Sequence, residues 1–329
     1  REASAWTLVE PMRWAANYFA VNRILNQLQF LEEEAFFHVD EVGKTGQTLE
    51  DYGLADPVLT LRVSGASGQL ELQRGTVTEI GNNVYLLGPE KERIFVVNRE
   101  VVDSLLIGLR ELRKREIFDI PVFEVEALSL RIRAGGGNGD LKVRLARNAG
   151  RWVFESPVSA EADPALVTNA INTLTAAKVA AFKESAVPAP HGLDAPSMRV
   201  TLEGNQRRQT LLIGNPDATG EGAPTYFAKL EGNPSVFTVD ARPFDELREA
   251  QEALRERNFF QFDPDTLNTI VLSNDGNQIR LQKLETGEWQ VLQSNGATGD
   301  IQPFRADSEV MAALIEDLRT LRASGFAVD

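Results

Sequence analysis

The strongest polar signal in the sequence is a string of basic residues that occurs twice. Its members are Arg110, Arg113, Lys114 and Arg115 in one copy, and Arg255 and Arg257 in the other. Arginine and lysine donate charge-assisted hydrogen bonds to carboxylates, so the string could be a docking patch for a partner protein. The alternative is that these cations follow helix C-termini and offset the negative end of the helix dipole, and their place in the pattern favours it.

Residue types that usually perform catalysis are sparse. The chain has no cysteine, which excludes thiolate catalysis and Cys-ligated zinc. His38 and His191 lack ligand spacing, and Tyr52 stands where His191 does in the other copy. The glutamates 32–34 indicate a solvated patch at a helix end, and the glycine-rich segment 135–140 precedes a strand and does not cradle phosphate. We therefore expect no catalytic, metal-binding or cofactor-binding residues and no enzyme activity, although a carboxylate pair is not excluded.

Three tryptophans recur at one place in a repeated pattern. They are Trp6, Trp152 and Trp289, each at a junction between a strand and a helix. Indole rings could stack on bases or sugars. A ring that anchors the core at the same position of each repeat is the favoured interpretation, because packing needs such a residue in every copy.

Composition indicates a globular, acidic protein. The 329 residues contain 34 basic and 48 acidic side chains, which gives a net charge of −14. This balance disfavours a nucleic-acid partner and adsorption to anionic lipid, because both need clustered cations. The sequence has no run of about 18 apolar residues, so it predicts no membrane span, and no signal peptide is visible.

Two kinds of module alternate along the chain. Module A begins at Trp6 and recurs at Trp152, 146 residues later, and a third copy begins at Trp289. Other pairs at the same spacing are Pro11 and Pro157, Ala16 and Ala162, Val21 and Val167, Asn26 and Asn172, Leu28 and Leu174, and Phe36 and Phe182. Module B carries a Gly-Leu turn at Gly53 and Gly192. Such self-similarity predicts repeated structural units.

Each module predicts antiparallel strands followed by one amphipathic helix. In module A the helix is capped by Asn17, Asp163 or Asp307, and apolar residues follow at helical spacing. In module B of the second copy the helix is predicted over 244–258. The expected fold class is α+β, pseudo-symmetric, in the order A-B-A-B-A. The domains are predicted as 1–120, 121–263 and 264–329, and the first A module is expected to be truncated at its start, with the natural protein extending upstream.

The motifs resemble a known bacterial family. They are the Trp-x4-Pro segment with its capped helix, the Tyr52–Pro57 turn, and the Leu-Arg-x-Arg segment before Phe118 and Phe260. Together they resemble domain-of-unknown-function family 4340 over essentially the whole chain. The resemblance implies a single-pass, extracytoplasmic protein, often encoded beside ABC-type transport components similar to those of gliding motility. It implies periplasmic localisation with an N-terminal anchor to the inner membrane outside these residues, and no catalytic residues can be transferred from it.

Three functions are then open. The first is a non-enzymatic periplasmic accessory or scaffold module of an ABC-type transport complex, which docks membrane transport proteins. The second is a binding module for a glycan or cell-wall polymer, and the third is a hydrolytic enzyme. An exposed apolar patch would favour docking, a groove floored by aromatic rings would favour a glycan, and a deep pocket with shifted carboxylates would favour an enzyme.

Overall fold

Antiparallel sheets with a few short helices make up the chain, so the α+β fold class is confirmed. The computed structural model describes residues 5–66, 68–133, 140–183, 191–218, 222–274, 277–294 and 301–326. Two compact units are found. Unit 1 contains Arg1–Asp119, Ala177–His191 and Thr225–Val239, and unit 2 contains Ile120–Ala176, Gly192–Pro224 and Asp240–Asp329.

Unit 1 is built around a five-stranded antiparallel sheet. The strands of unit 1 as a whole are β1 (Thr7–Leu8), β2 (Trp14–Ala15), β3 (Glu33–His38), β4 (Leu59–Gly65), β5 (Gly68–Val77), β6 (Asn83–Leu87), β7 (Arg93–Asn98), β12 (Ala181–Lys183), β15 (Thr225–Leu230) and β16 (Val236–Asp240). Its helices are α1 (Tyr18–Gln29), α2 (Val39–Val42), α3 (Arg99–Asp103) and α4 (Leu109–Leu112). The strand order in the five-stranded sheet is β3-β7-β6-β5-β4. β1 pairs with β2, and β15, β16 and β12 are neighbours in that order.

β6 and β7 carry apolar side chains on both faces of the sheet, because successive residues of a strand point to opposite faces and both strands are apolar at successive positions. Ile94 and Leu87 pack with Val42 and Leu54 on one face, and the rings of Phe37, Tyr52 and Tyr85 lie against them. A separate cluster on β6 and β7 packs against α3 and consists of Val84, Leu86, Val97 and Val102. These two clusters form the hydrophobic core of this sheet.

Unit 2 contains a run of six adjacent strands and a separate four-stranded sheet. The first set is β8 (Ala127–Ile132), β9 (Leu141–Asn148), β10 (Arg151–Ser156), β11 (Ala160–Glu161), β13 (Met198–Gly204) and β14 (Arg207–Pro216). The second is β17 (Thr269–Asn274), β18 (Asn277–Lys283), β19 (Trp289–Ser294) and β20 (Ile301–Arg305). The strand orders are β11-β10-β9-β8-β13-β14 and β17-β18-β19-β20. The helices are α5 (Pro164–Ala176), α6 (Arg242–Glu246), α7 (Ala250–Ala253) and α8 (Ser308–Thr320).

The predicted helix caps all form. Oδ1 of Asp163 accepts hydrogen bonds from the backbone N–H groups of Ala165 and Leu166, and Asp307 does the same at the start of α8. Behind these caps, α5 buries Val167 and Ile171 completely. α1 is also capped, by Asn17, but of its apolar residues only Ala20 is buried.

One prediction of local structure is wrong. The helix expected over 244–258 is interrupted by a 3₁₀ turn at Leu247–Glu249 and ends at Ala253. Leu254 caps this helix and the chain then leaves it, because Arg255 pairs with Ala162: the Asp163 N–H donates to the carbonyl of Leu254, and the Glu256 N–H donates to that of Glu161. The glutamates 32–34 follow the end of α1 and are exposed, as expected of a solvated patch. Glu33 and Glu34 belong to β3, where Glu34 accepts a hydrogen bond from Asn83. Of the glycine-rich segment 135–140, residues 135–139 lie outside the described residues.

Short strands that the sequence did not predict complete the topology. β3 and β12 follow the A-type helices and pair antiparallel with β7 and β16. β2 and β11 pair with β1 and β10 in the same register, with Thr7 opposite Ala15 and Val153 opposite Glu161. Each of these strands has two to six residues, too few for an alternating apolar pattern to stand out.

Tryptophan burial differs between the matched positions and gives a first prediction. Trp152 is 7% exposed on β10, whereas Trp6 is 46% exposed. Trp152→Ala should lower the free energy of unfolding by about 3–5 kcal/mol, because it opens a cavity in a packed core. Trp6→Ala is the matched control and should cost far less. Urea unfolding of both variants tests this, and equal losses would contradict it.

Gly204, the last residue of β13, gives a second prediction. A Cβ atom there would collide with the backbone carbonyl of Glu124, whereas one at Gly65, the last residue of β4, would meet no atom within 4 Å. Gly204→Ala should therefore cost about 1–3 kcal/mol, because backbone atoms must shift. Gly65→Ala should change stability by less than about 0.5 kcal/mol. Thermal unfolding of the two variants measures the difference, and a stable Gly204→Ala variant would count against this packing.

Candidate functional site

A cleft in unit 1, which we name the basic cleft, gathers most of the basic string. Its volume is about 530 Å³, and a second hollow of about 310 Å³ shares Arg110, Arg113 and Arg115 with it. The cleft is lined by Asn17, Phe19, Ala20, Arg23, Arg110, Glu111, Arg113, Arg115, Glu116 and Lys178. Five cations thus face two carboxylates, in a chain whose net charge is −14.

Backbone pairing between distant segments builds the cleft. Residues 15–17 run antiparallel to 112–114: the Asn17 N–H donates to the carbonyl of Leu112 at 2.8 Å, and the Lys114 N–H donates to that of Ala15 at 2.9 Å. The side chain of Asn17 then caps α1 by accepting from the N–H groups of Phe19 and Ala20. The pairing places the positive N-terminal end of α1 beside the arginines.

Trp14 anchors this arrangement, and sequence reasoning missed it. Its side chain is 3% exposed, and its Nε1 donates to the carbonyl of Lys114 at 2.7 Å. Its ring lies edge-on against Phe182 and Phe237, with centroids 5.2 and 5.3 Å away. The position 146 residues later is Ala160, so a comparison of the two copies gave no signal.

Three of the predicted docking cations are held by the fold. The guanidinium of Arg113 lies over the Phe182 ring, 4.5 Å from its centroid. Arg115 donates from Nε and Nη2 to the carbonyl of Val179, at 3.1 and 2.9 Å. Lys114 forms an ion pair with Asp119. These contacts orient the basic string, and those of Arg113 and Arg115 fix two side chains on the wall of the cleft.

The helix-dipole interpretation applies to only one cation of this group. α4 ends at Leu112, its last turn contains Arg110, and Arg113 is its extended C-terminal cap. Arg110 is exposed and makes no ion pair among the described residues. Arg23, on α1, pairs with Glu111 at 2.9 Å with both side chains more than half exposed, so solvent screens this pair.

In unit 2, Arg255 and Arg257 make contacts of similar kinds, but the charges around them differ. Arg255 lies over Phe326, 4.0 Å from the ring centroid, and the Ala323 N–H donates to the carbonyl of Arg257 at 2.8 Å. The position that matches Arg110, 142 residues later, is Glu252, which forms a 3.8 Å ion pair with Arg257. The structure therefore brings Arg110, Arg113 and Arg115 together in unit 1, and Arg255 and Arg257 lie in unit 2.

Other residues singled out in the sequence have structural contacts. The backbone N–H of His38 donates to the carboxylate of Glu41 in a capping box for α2. The imidazole of His191 stacks on Phe227, 4.2 Å between centroids. Within the described ranges, no group of three or more histidine, aspartate or glutamate residues could hold a metal ion.

The lining of the basic cleft favours binding of an anion. It includes no histidine, serine, threonine or tyrosine, whereas arginine forks and helix N–H groups are suited to carboxylate or phosphate oxygens. Elsewhere, hydrogen bonds from Arg62 and Arg319 lower the pKa of Glu71 and Glu316. These two carboxyls stay ionised, whereas a general acid near neutral pH needs a raised pKa.

The different roles of Arg113 and Arg110 give a third prediction. Arg113→Ala should cost about 1–2 kcal/mol of stability, because it removes a half-buried cation–π contact and its packing. Arg110→Ala should change the melting temperature little, since Arg110 is exposed. Scanning calorimetry of both variants measures this, and a large loss for Arg110→Ala would show that it too is structural.

Comparison with known proteins places the chain in one family. The family described as "Domain of unknown function (DUF4340)" matches residues 6–196 and again residues 152–329. No curated protein and no solved structure matches the chain. Among the described residues, no helix is long and apolar enough to cross a membrane. Because the two matches together cover nearly the whole chain, the protein belongs to the DUF4340 family.

Proposed function

We propose that this protein is a non-enzymatic docking module that binds an acidic segment of a partner protein in the basic cleft. The observation that carries the proposal is the concentration of five cations around the N-terminus of α1 in an acidic protein. Opposite potentials steer partners together and fix the register of an interface. A carboxylate-bearing peptide segment matches the arginine forks and the positive N-terminal end of α1 beside them.

The proposed partner is a membrane protein of an ABC-type transport complex. In this proposal the module works in the periplasm, with an anchor in the inner membrane that lies outside these 329 residues. The resemblance described for the family supports this setting. The cleft lining has no histidine, serine, threonine or tyrosine, which supports docking rather than hydrolysis. Its single aromatic ring, Phe19, gives a glycan little surface on which to stack.

The modular order A-B-A-B-A is also part of the proposal. The same hydrogen bond, from the residue before the helix cap to the tryptophan carbonyl, recurs at Ala16 and Trp6, Ala162 and Trp152, and Ala306 and Trp289. The strand neighbours β3-β7-β6 and β12-β16-β15 follow the same order, as do the hairpins β4-β5 and β13-β14. The family matches overlap with a comparable offset. Pseudo-symmetric modules account for all three observations.

A binding experiment with charge reversal tests the docking proposal. Membranes that contain the transport complex are incubated with the protein or with Arg110→Glu, and the bound fraction is titrated. Arg110→Glu should bind about tenfold more weakly, since it puts an anion where a carboxylate must dock. Binding by the unchanged protein should also weaken as salt is raised.

The control is Arg151→Glu, which reverses a charge on an exposed side chain in unit 2. It should bind like the unchanged protein. A photo-crosslinking amino acid in place of Phe19, an exposed residue of the cleft lining, then identifies the segment bound and leaves the cations in place. Equal binding by Arg110→Glu, or a crosslinked segment without Asp or Glu, would refute docking of an acidic partner in the cleft.

A further inference from the structure

Strand β1 in unit 1 lacks a neighbour that its counterpart in unit 2 has. β1 and β10 pair with β2 and β11 in the same register, with Leu8 opposite Trp14 and Phe154 opposite Ala160. β10 also pairs on its other edge with β9, from Arg151 opposite Asn148 onwards. Among the described residues, β1 has β2 alone. Its outer backbone N–H and C=O groups therefore face no strand.

Strand β4 shows the same difference. Its counterpart β13 pairs with β14 on one edge and with β8 on the other, where Val200 lies opposite Leu130. β4 pairs with β5 and ends its sheet within the described chain. The apolar residues of β13, which are Met198, Val200 and Leu202, are completely buried. The matched residues of β4, which are Leu59, Leu61 and Val63, are only half-buried.

A single hairpin accounts for both open edges. In unit 2, β8 and β9 are consecutive antiparallel strands that lie between β13 and β10. The same hairpin in unit 1 would pair with β4 through one strand and with β1 through the other. It would also cover Trp6, which is 46% exposed, and the half-buried apolar face of α1.

We propose that β1 and β4 bind a two-stranded antiparallel β-hairpin, supplied by the same polypeptide immediately before Trp6. Strand addition of this kind satisfies the backbone groups of an edge, and alternate side chains fill the apolar face. The connection from β9 to β10 needs only Ala149 and Gly150, both with positive φ. A hairpin joined by such a turn leads directly into β1.

A second copy of the chain fits this surface less well. Its own edge strand, β17, continues through β18 into β19 and helix α8. In unit 1 the place of that helix is already taken by α1, because the Asn17 N–H bonds Leu112 just as the Asp163 N–H bonds Leu254 in unit 2. A docked β17 sheet would have to displace α1. A hairpin without a following helix meets no such conflict.

Grafting tests the inference with the chain's own sequence. A copy of residues 127–150 is attached directly before Ala5. Ala5 is the point of attachment because it stands 146 positions before Arg151, the residue that follows the hairpin in unit 2. Hydrogen exchange of the Leu59–Gly65 amides should slow by at least about tenfold, because new bonds protect the β4 edge. Acrylamide quenching of tryptophan fluorescence should fall as well, because Trp6 is the exposed one of the four tryptophans.

The matched control is the same graft with Leu130 and Val143 of the grafted copy both changed to Ser. It keeps the length and loses the inner apolar face, so it should leave the hydrogen exchange of β4 unchanged.

Equal exchange for graft and control would overturn the proposal. Protection of β4 that rises with protein concentration in the ungrafted chain would overturn it in favour of a second copy. A natural full-length protein whose upstream residues leave β4 unprotected would overturn the choice of occupant. None of these measurements involves the partner that docks in the basic cleft.

Discussion

A short stretch of antiparallel backbone pairing positions nearly everything else in unit 1. Residues 15–17, which lead into α1, pair with 112–114, which leave α4, although about a hundred residues separate them in sequence. The first N–H groups of a helix have no partner within it and must be satisfied from outside. The pairing orients Asn17 so that its side chain satisfies two of them, and it brings Trp14 and the basic string to the same place. In unit 2, the pairing of 161–163 with 254–256 does the same for Asp163 and α5.

An arginine over a phenylalanine ring stands next to this pairing in both units. Arg113 lies over Phe182, and Arg255 lies over Phe326. A guanidinium is planar and weakly hydrated, so it can cover an aromatic ring while its edge stays near solvent. Part of the basic signal in the sequence is therefore structural, and the docking interpretation depends on the remaining exposed cations, Arg110 above all.

Sequence analysis predicted the strands and capped helices of module A well, because their periods are long enough to recognise. The apolar spacing that starts at Val167 and the cap at Asp163 needed no tertiary information. The break after Ala253 could not be predicted, since it comes from pairing with residues 161–163, far away in sequence. Trp14 was missed for a similar reason: its role depends on Phe182 and Phe237, and its match in the other copy is alanine. The basic string was recognised in the sequence. Which of its cations are structural and which are exposed could be decided only from the side-chain contacts in the structure.

The comparison of matched positions shows where the two units differ in a way that packing does not require. The stacked arginine, the helix cap and the paired backbone recur, and they all contribute to stability. The residues at the exposed positions around them differ between the units. Arg23, Arg110 and Glu111 in unit 1 correspond to Asn169, Glu252 and Ala253 in unit 2. There, Glu252 pairs with Arg257, and the neighbouring groove is lined largely by Leu166, Ala170, Leu247 and Ala250. One framework thus carries a cationic surface in unit 1 and a mainly apolar one in unit 2. Because the exposed positions differ while the packed contacts recur, stability does not account for Arg23 and Arg110, and the proposed recognition of an anionic partner would account for them.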